Sequence, residues 1–104
     1  MWLLSVKPSS RKDKRYTATF CLCKKKNQCE GSNHLTTHFG QPDATTYADG
    51  ASEEKKQAYL ARHSKSPGED WSDPTSAGSL SRWLLWSKRS LREAVKEFKK
   101  KFSL

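Results

Sequence analysis

Residues 71–86, WSDPTSAGSLSRWLLW, hold three of the chain's four tryptophans and close on Leu80, Trp83, Leu84, Leu85 and Trp86. Each large ring can bury about 150–250 Å², so no other stretch offers as much apolar area. Any fold must wrap around this segment, because apolar residues are scarce elsewhere. Only 34% of the chain is hydrophobic, against roughly 45–50% in an average soluble domain. A thin, aromatic core overlaid by the stems of basic side chains follows. At 104 residues, the chain amounts to one domain, 1–104.

The first forty residues read as strands. Trp2 to Lys7 alternates, with Trp2, Leu4 and Val6 expected on one side. Pro8-Ser9-Ser10 ends that run, and Arg11 to Arg15 forms a basic turn. Tyr16 to Cys23 alternates most clearly, setting Tyr16, Ala18, Phe20 and Leu22 against Thr17, Thr19, Cys21 and Cys23. His34 to Phe39 is a third strand, with Leu35, Thr37 and Phe39 on its apolar side. Residues 1–40 therefore predict a three-stranded antiparallel meander.

Residues 41–104 read as the helical part. Ser52 is a good N-cap because Glu53 and Glu54 follow where the helix dipole favours acids, and that helix runs to about His63. Pro67-Gly68 marks a loop. Pro74 can open a second helix carrying Ala77, Leu80, Trp83 and Leu84 at three- and four-residue spacing. Ser90-Leu91-Arg92-Glu93 fits a capping box, and Leu91, Val95, Phe98 and Phe102 then form one stripe. The expected class is α+β: a small meander packed against two or three helices.

Charge carries the functional signal. The net charge is +9, unevenly spread. Residues 1–40 hold eight Lys/Arg against two acids, residues 41–78 four against seven, and residues 79–104 eight against two. Two basic ends thus flank an acidic middle. Cations arrayed on a surface neutralise phosphates and release counterions. The candidates are Lys7, Arg11, Lys12, Lys14, Arg15, Lys24, Lys25, Lys26, Lys88, Arg89, Arg92, Lys96, Lys99 and Lys100. No base-reading motif accompanies them, so backbone contact without sequence preference is the expectation.

Other chemistry is thinly represented. Ser79 and Ser81 lack a nucleophile-elbow frame, and His38, Arg62 and His63 have no nucleophile or convergent carboxylates beside them. No enzyme activity and no small-molecule substrate are expected. Cys21, Cys23 and Cys29 with His34 form a possible zinc set, since a hairpin would bring them within reach. The C-x-C spacing is unusual for zinc, so reduced cysteines without a cofactor are the expectation and the zinc set is the alternative. An odd number of cysteines argues against a disulfide framework and for a reducing, intracellular compartment. No apolar run approaches the roughly 20 residues that span a bilayer.

Several blocks together resemble a known family. They are Val6-Lys7, Arg11 to Tyr16, Thr37-His38-Phe39-Gly40, Tyr47, Tyr59 to His63, Trp71 to Pro74, and Ala77 to Trp86. The chain resembles a family of small basic proteins of unknown function encoded by large DNA viruses of algae and protists and by some algae. It departs from that pattern in its cysteine-bearing hairpin and around Thr46-Tyr47. The resemblance implies no catalytic residues. A non-catalytic component of a large assembly is expected, binding nucleic-acid backbone in a ribosome-like particle or a virion interior. A minor capsid or adaptor protein meeting acidic neighbours, and a zinc-stabilised regulatory module, are the alternatives.

Overall fold

Tyr16–Cys21 forms the central strand β2, flanked by β1 (Trp2–Pro8) and β3 (His34–Phe39) in one antiparallel sheet of order β1-β2-β3. This computed structural model describes residues 1–25, 29, 33–66 and 70–104. The loop expected at Pro67-Gly68 and the cation Lys26 lie outside the described residues. After β3 come a 3₁₀ turn (Tyr47–Asp49), helix α1 (Glu53–His63), helix α2 (Ala77–Leu80), a π-helical continuation (Ser81–Leu85) and helix α3 (Leu91–Phe102). The chain is an α+β domain with a three-stranded sheet and three helices.

Pairing register decides which side chains face inward. Ala18 pairs with Val6 and Thr37, and Phe20 pairs with Leu3 and Leu35. Paired residues share a face, so Leu3, Val6, Ala18, Phe20 and Phe39 line the inner side. The alternation expected for β2 and β3 holds at Ala18, Phe20 and Phe39, while Cys21, expected outward, is buried and Leu35, expected inward, is exposed. That for β1 does not hold, because a bulge between Leu3 and Ser5 inserts one extra residue. The bulge resets the alternation, so Leu3, not Leu4, enters the core at 2% exposure. Leu22 lies past the end of β2 and is exposed.

Helices cover only that inner face. Phe20, Phe39, Leu80, Leu84, Leu85, Trp86, Ala94 and Phe98 make one buried cluster, with Leu91, Val95 and Phe102 packed against it. Three serines start the helices by accepting a backbone N–H: Ser52 from Lys55, Ser76 from Ser79 and Ser90 from Glu93, each at 3.1 Å. The second helix begins later than Pro74 suggested. Asp70 and Asp73 accept from the N–H of Ser72 and Thr75, and these two turns occupy the preceding residues. The wider π turn then lets Leu84, Leu85 and Trp86 all be buried in succession, which a regular amphipathic helix would not.

Helix α1 is attached differently. Tyr59 is its one buried residue, and its ring stacks on Trp86 with centroids 4.4 Å apart and planes 7° from parallel. Gly40 brings the end of β3 close to the same place. Its φ is +84°, and an added Cβ would sit 3.0 Å from Leu85 Cδ1 and 3.3 Å from Arg15 Cβ. Gly50 also has positive φ, +104°, but faces open space.

These two glycines give a paired test. Gly50→Ala should cost only backbone strain, roughly 1–2 kcal/mol. Gly40→Ala should cost about 1–3 kcal/mol more, because buried Leu85 must shift. Thermal melts of the two variants read the difference, and equal losses would contradict the close approach.

Candidate nucleic-acid interface

The face of α1 that carries Tyr59 also carries Lys55, Ala58 and Arg62, spaced three, four and seven residues apart and so stacked on one side. Opposite them stand Lys14 from the β1–β2 turn, Gly40 and Gln41 after β3, and Ala77, Gly78 and Ser81 from the second helix. Between these walls lies a cleft of about 320 Å³, floored by Tyr59, Leu85 and Trp86. Gly40, Ala44, Ala58, Ala77 and Gly78 leave the room by lacking bulk. Lys14, Lys55 and Arg62 line it together with His63, and no carboxylate is among the described lining. Three cations in one recess suit an anion, above all a phosphate.

Arg15 builds this recess without entering it. Its guanidinium forks onto both carboxylate oxygens of Asp49 and donates to the Ala44 carbonyl at 3.4 Å. Its backbone N–H donates to Gly40 O at 3.0 Å. Thr46 donates to Asp49 from both its N–H and its hydroxyl, each at 2.9 Å. The hydrogen bond from Arg15, reinforced by those from Thr46, holds the Asp49 carboxyl far below the usual carboxylate range.

The cations singled out in the sequence divide into two groups. Arg15 is engaged as described. Arg89 donates to Ala51 O at 2.5 Å, with its guanidinium 3.8 Å over the Tyr47 ring. Arg11 pairs with Asp13 in an exposed salt bridge of 2.6 Å. The others point to solvent or its edge. Lys7, Lys12, Lys24, Lys25, Lys88, Arg92, Lys96 and Lys100 are exposed, and Lys99 is half-buried. Among the described residues, Arg11–Asp13 and Arg15–Asp49 are the salt bridges present. Of the singled-out cations, Lys14 alone lines the cleft.

Lys55 and Arg62 come from the stretch that reads as acidic in bulk, so segment charge hid them. Their seven-residue spacing on the tyrosine face was the available signal. His38, by contrast, sits inside a hydrogen-bond set, its Nδ1 2.8 Å from Ser9 Oγ and 2.9 Å from Thr17 Oγ1.

The cysteines correct one expectation. Cys21 and Cys29 form a disulfide, their Cα atoms 5.7 Å apart, where reduced thiols were expected. The chain after β2 folds back far enough to bring Cys29 onto the strand end. Cys23 lies outside that bond, yet all three sulfurs are within 4.8 Å of one another. His34, the fourth residue of the expected zinc set, pairs with Cys21 across β2 and β3 but is outside that cluster.

Fold and site together define a small α+β domain with a cation-lined cleft against its single-faced sheet. The chain belongs to a family of unknown function, DUF5754, whose profile matches residues 4–63. That span includes β2, β3, α1 and ten of the fifteen described lining residues. It ends before the tryptophan-rich segment, so the match is shorter than the run of resembling blocks, which extends to Trp86. No curated protein and no solved structure matched the chain.

The low Asp49 pKa fixes a pH dependence. A carboxyl whose folded pKa is depressed stabilises the fold above its unfolded value, near 4, and loses that stabilisation as pH falls below it. Asp49→Asn should therefore lose about 1–2 kcal/mol near neutral pH, allowing for screening at a partly exposed site. The gap from the unsubstituted chain should narrow below about pH 4. Parallel acid unfolding limbs for the two proteins would contradict this role.

Proposed function

We propose that this protein is a non-catalytic component of a larger assembly that grips nucleic-acid backbone without reading sequence. The observation that carries this reading is the cleft that Lys14, Lys55 and Arg62 line together, with no carboxylate among its described lining. Exposed cations on the β1–β2 turn and on α3 extend the same chemistry outward: Lys12 in the turn, and Arg92, Lys96 and Lys100 on the helix. Backbone phosphates need donors and positive charge, and neither base edges nor a particular sequence enters the contact. A volume of about 320 Å³ takes one nucleotide-sized group.

The sequence resemblance to small basic proteins of large DNA viruses supports a virion interior or a ribonucleoprotein particle as the setting. No helix of the described residues is long and apolar enough to cross a membrane.

Salt titration tests the proposal. Affinity for oligonucleotides of unrelated sequence should fall linearly on a log–log plot between about 50 and 200 mM salt. Replacing Lys14, Lys55 and Arg62 together by glutamine should flatten that slope by about 2–3, since each phosphate contact contributes roughly 0.7–0.9. An unchanged slope in the triple variant, or tighter binding to an acidic protein than to any nucleic acid, would overturn it.

A further inference from the structure

At the far end of β2 three sulfurs occupy one small volume. Cys21 is fully buried, Cys23 and Cys29 are half-buried, and their Sγ atoms lie within 4.8 Å of one another. Thiolates bound to one zinc ion at about 2.3 Å sit about 3.8 Å apart in a tetrahedron, so once the Cys21–Cys29 bond is reduced those two sulfurs must part to that spacing while Cys23 is already within 4.8 Å of both.

The sheet supplies a fourth ligand. His34 is the direct cross-strand partner of Cys21 and therefore lies on the same outer face. Cβ atoms of such pairs are about 4.5–5.5 Å apart, within reach of an imidazole after a side-chain rotation. Three thiolates and a neutral imidazole around Zn²⁺ leave a net charge of −1, which the exposed Lys24 and Lys25 in the same turn complement. Trp2 steadies that turn by donating its indole N–H to Lys24 O at 3.2 Å.

We propose that this tip is a metal site of the reduced chain, holding Zn²⁺ on Cys21, Cys23, Cys29 and His34. The Cys21–Cys29 disulfide is its oxidised, metal-free form. Conversion needs a thiol reductant. Two electrons and two protons pass to the paired sulfurs, the S–S bond breaks, and two reductant thiols become a disulfide. Zinc then displaces three thiol protons to solvent, so binding tightens as pH rises.

The test uses the full chain without nucleic acid, so its outcome is separate from the fate of the phosphate-binding reading. Cobalt(II) added to reduced, chelator-free protein should give one-to-one tetrahedral d–d bands with thiolate charge transfer, displaced by zinc. Cys23→Ser should weaken cobalt binding at least about 100-fold, and His34→Gln about tenfold or more. Zinc should also shield three thiols of the unsubstituted chain from alkylation, a readout that does not depend on variants folding. Absence of one-to-one cobalt binding, full affinity in Cys23→Ser, or shielding of fewer than three thiols would overturn the proposal.

Discussion

The stack of Tyr59 on Trp86 is the contact on which the rest of the arrangement depends. Helix α1 is polar along most of its length and fully buries only Tyr59, with Leu60 packed beside the core and Lys56 donating to Ser87 O at 3.3 Å. The stack joins it to the tail of the tryptophan-rich segment, whose Leu80, Leu84 and Leu85 share the core with Phe20 and Phe39. Such a pair contributes about 0.5–1.5 kcal/mol beyond the area it buries. It also sets the cleft's geometry, because Lys55 and Arg62 flank Tyr59 on the same helical face. Loss of the stack would loosen α1 and with it one wall of the recess.

Arginines and lysines divide the remaining labour according to their chemistry. Arg15 forks onto a carboxylate, Arg89 lies on Tyr47, and Arg82 lies over Trp71 and Trp83 at 5.4 and 4.2 Å. Planar, weakly hydrated guanidinium tolerates such partly dry positions. Desolvation lowers the Arg82 pKa, so that site is held by ring contact and packing instead of by a counter-charge. Lysines mostly stay outside, where a compact, strongly hydrated charge is less costly. Even Lys101 keeps its ammonium over a ring, 4.4 Å from the Trp83 centroid. The basic surplus that suggested a polyanion partner keeps its +9, but the arginines engaged in these contacts are less available to meet a partner. What remains available is nearly all lysine.

Local signals in the sequence were read well where one principle governed them. Ser52 and Ser90 announced their helices, and the alternation of β2 and β3 assigned Ala18, Phe20 and Phe39 inward. Signals that need a partner were not legible. The bulge beside Leu3 shows only once β1 is paired with β2. Asp70 and Asp73 delayed a helix that Pro74 alone would have opened, and the π turn reflects the demand to bury Leu84, Leu85 and Trp86 together. The disulfide depends on how the chain beyond β2 folds back, which spacing does not determine. The cleft is tertiary in the same sense, since Lys14 and Arg62 are 48 positions apart and meet only because Tyr59 finds Trp86.

Backbone amide shifts recorded while a short oligonucleotide is added would test the central claim most directly. A phosphate held between α1 and the second helix should move the signals of Lys14, Gly40, Lys55, Arg62 and Gly78 together. Shifts confined to α3 and the β1–β2 turn, with those five unmoved, would show that the recess built on Tyr59 and Trp86 does not hold the strand.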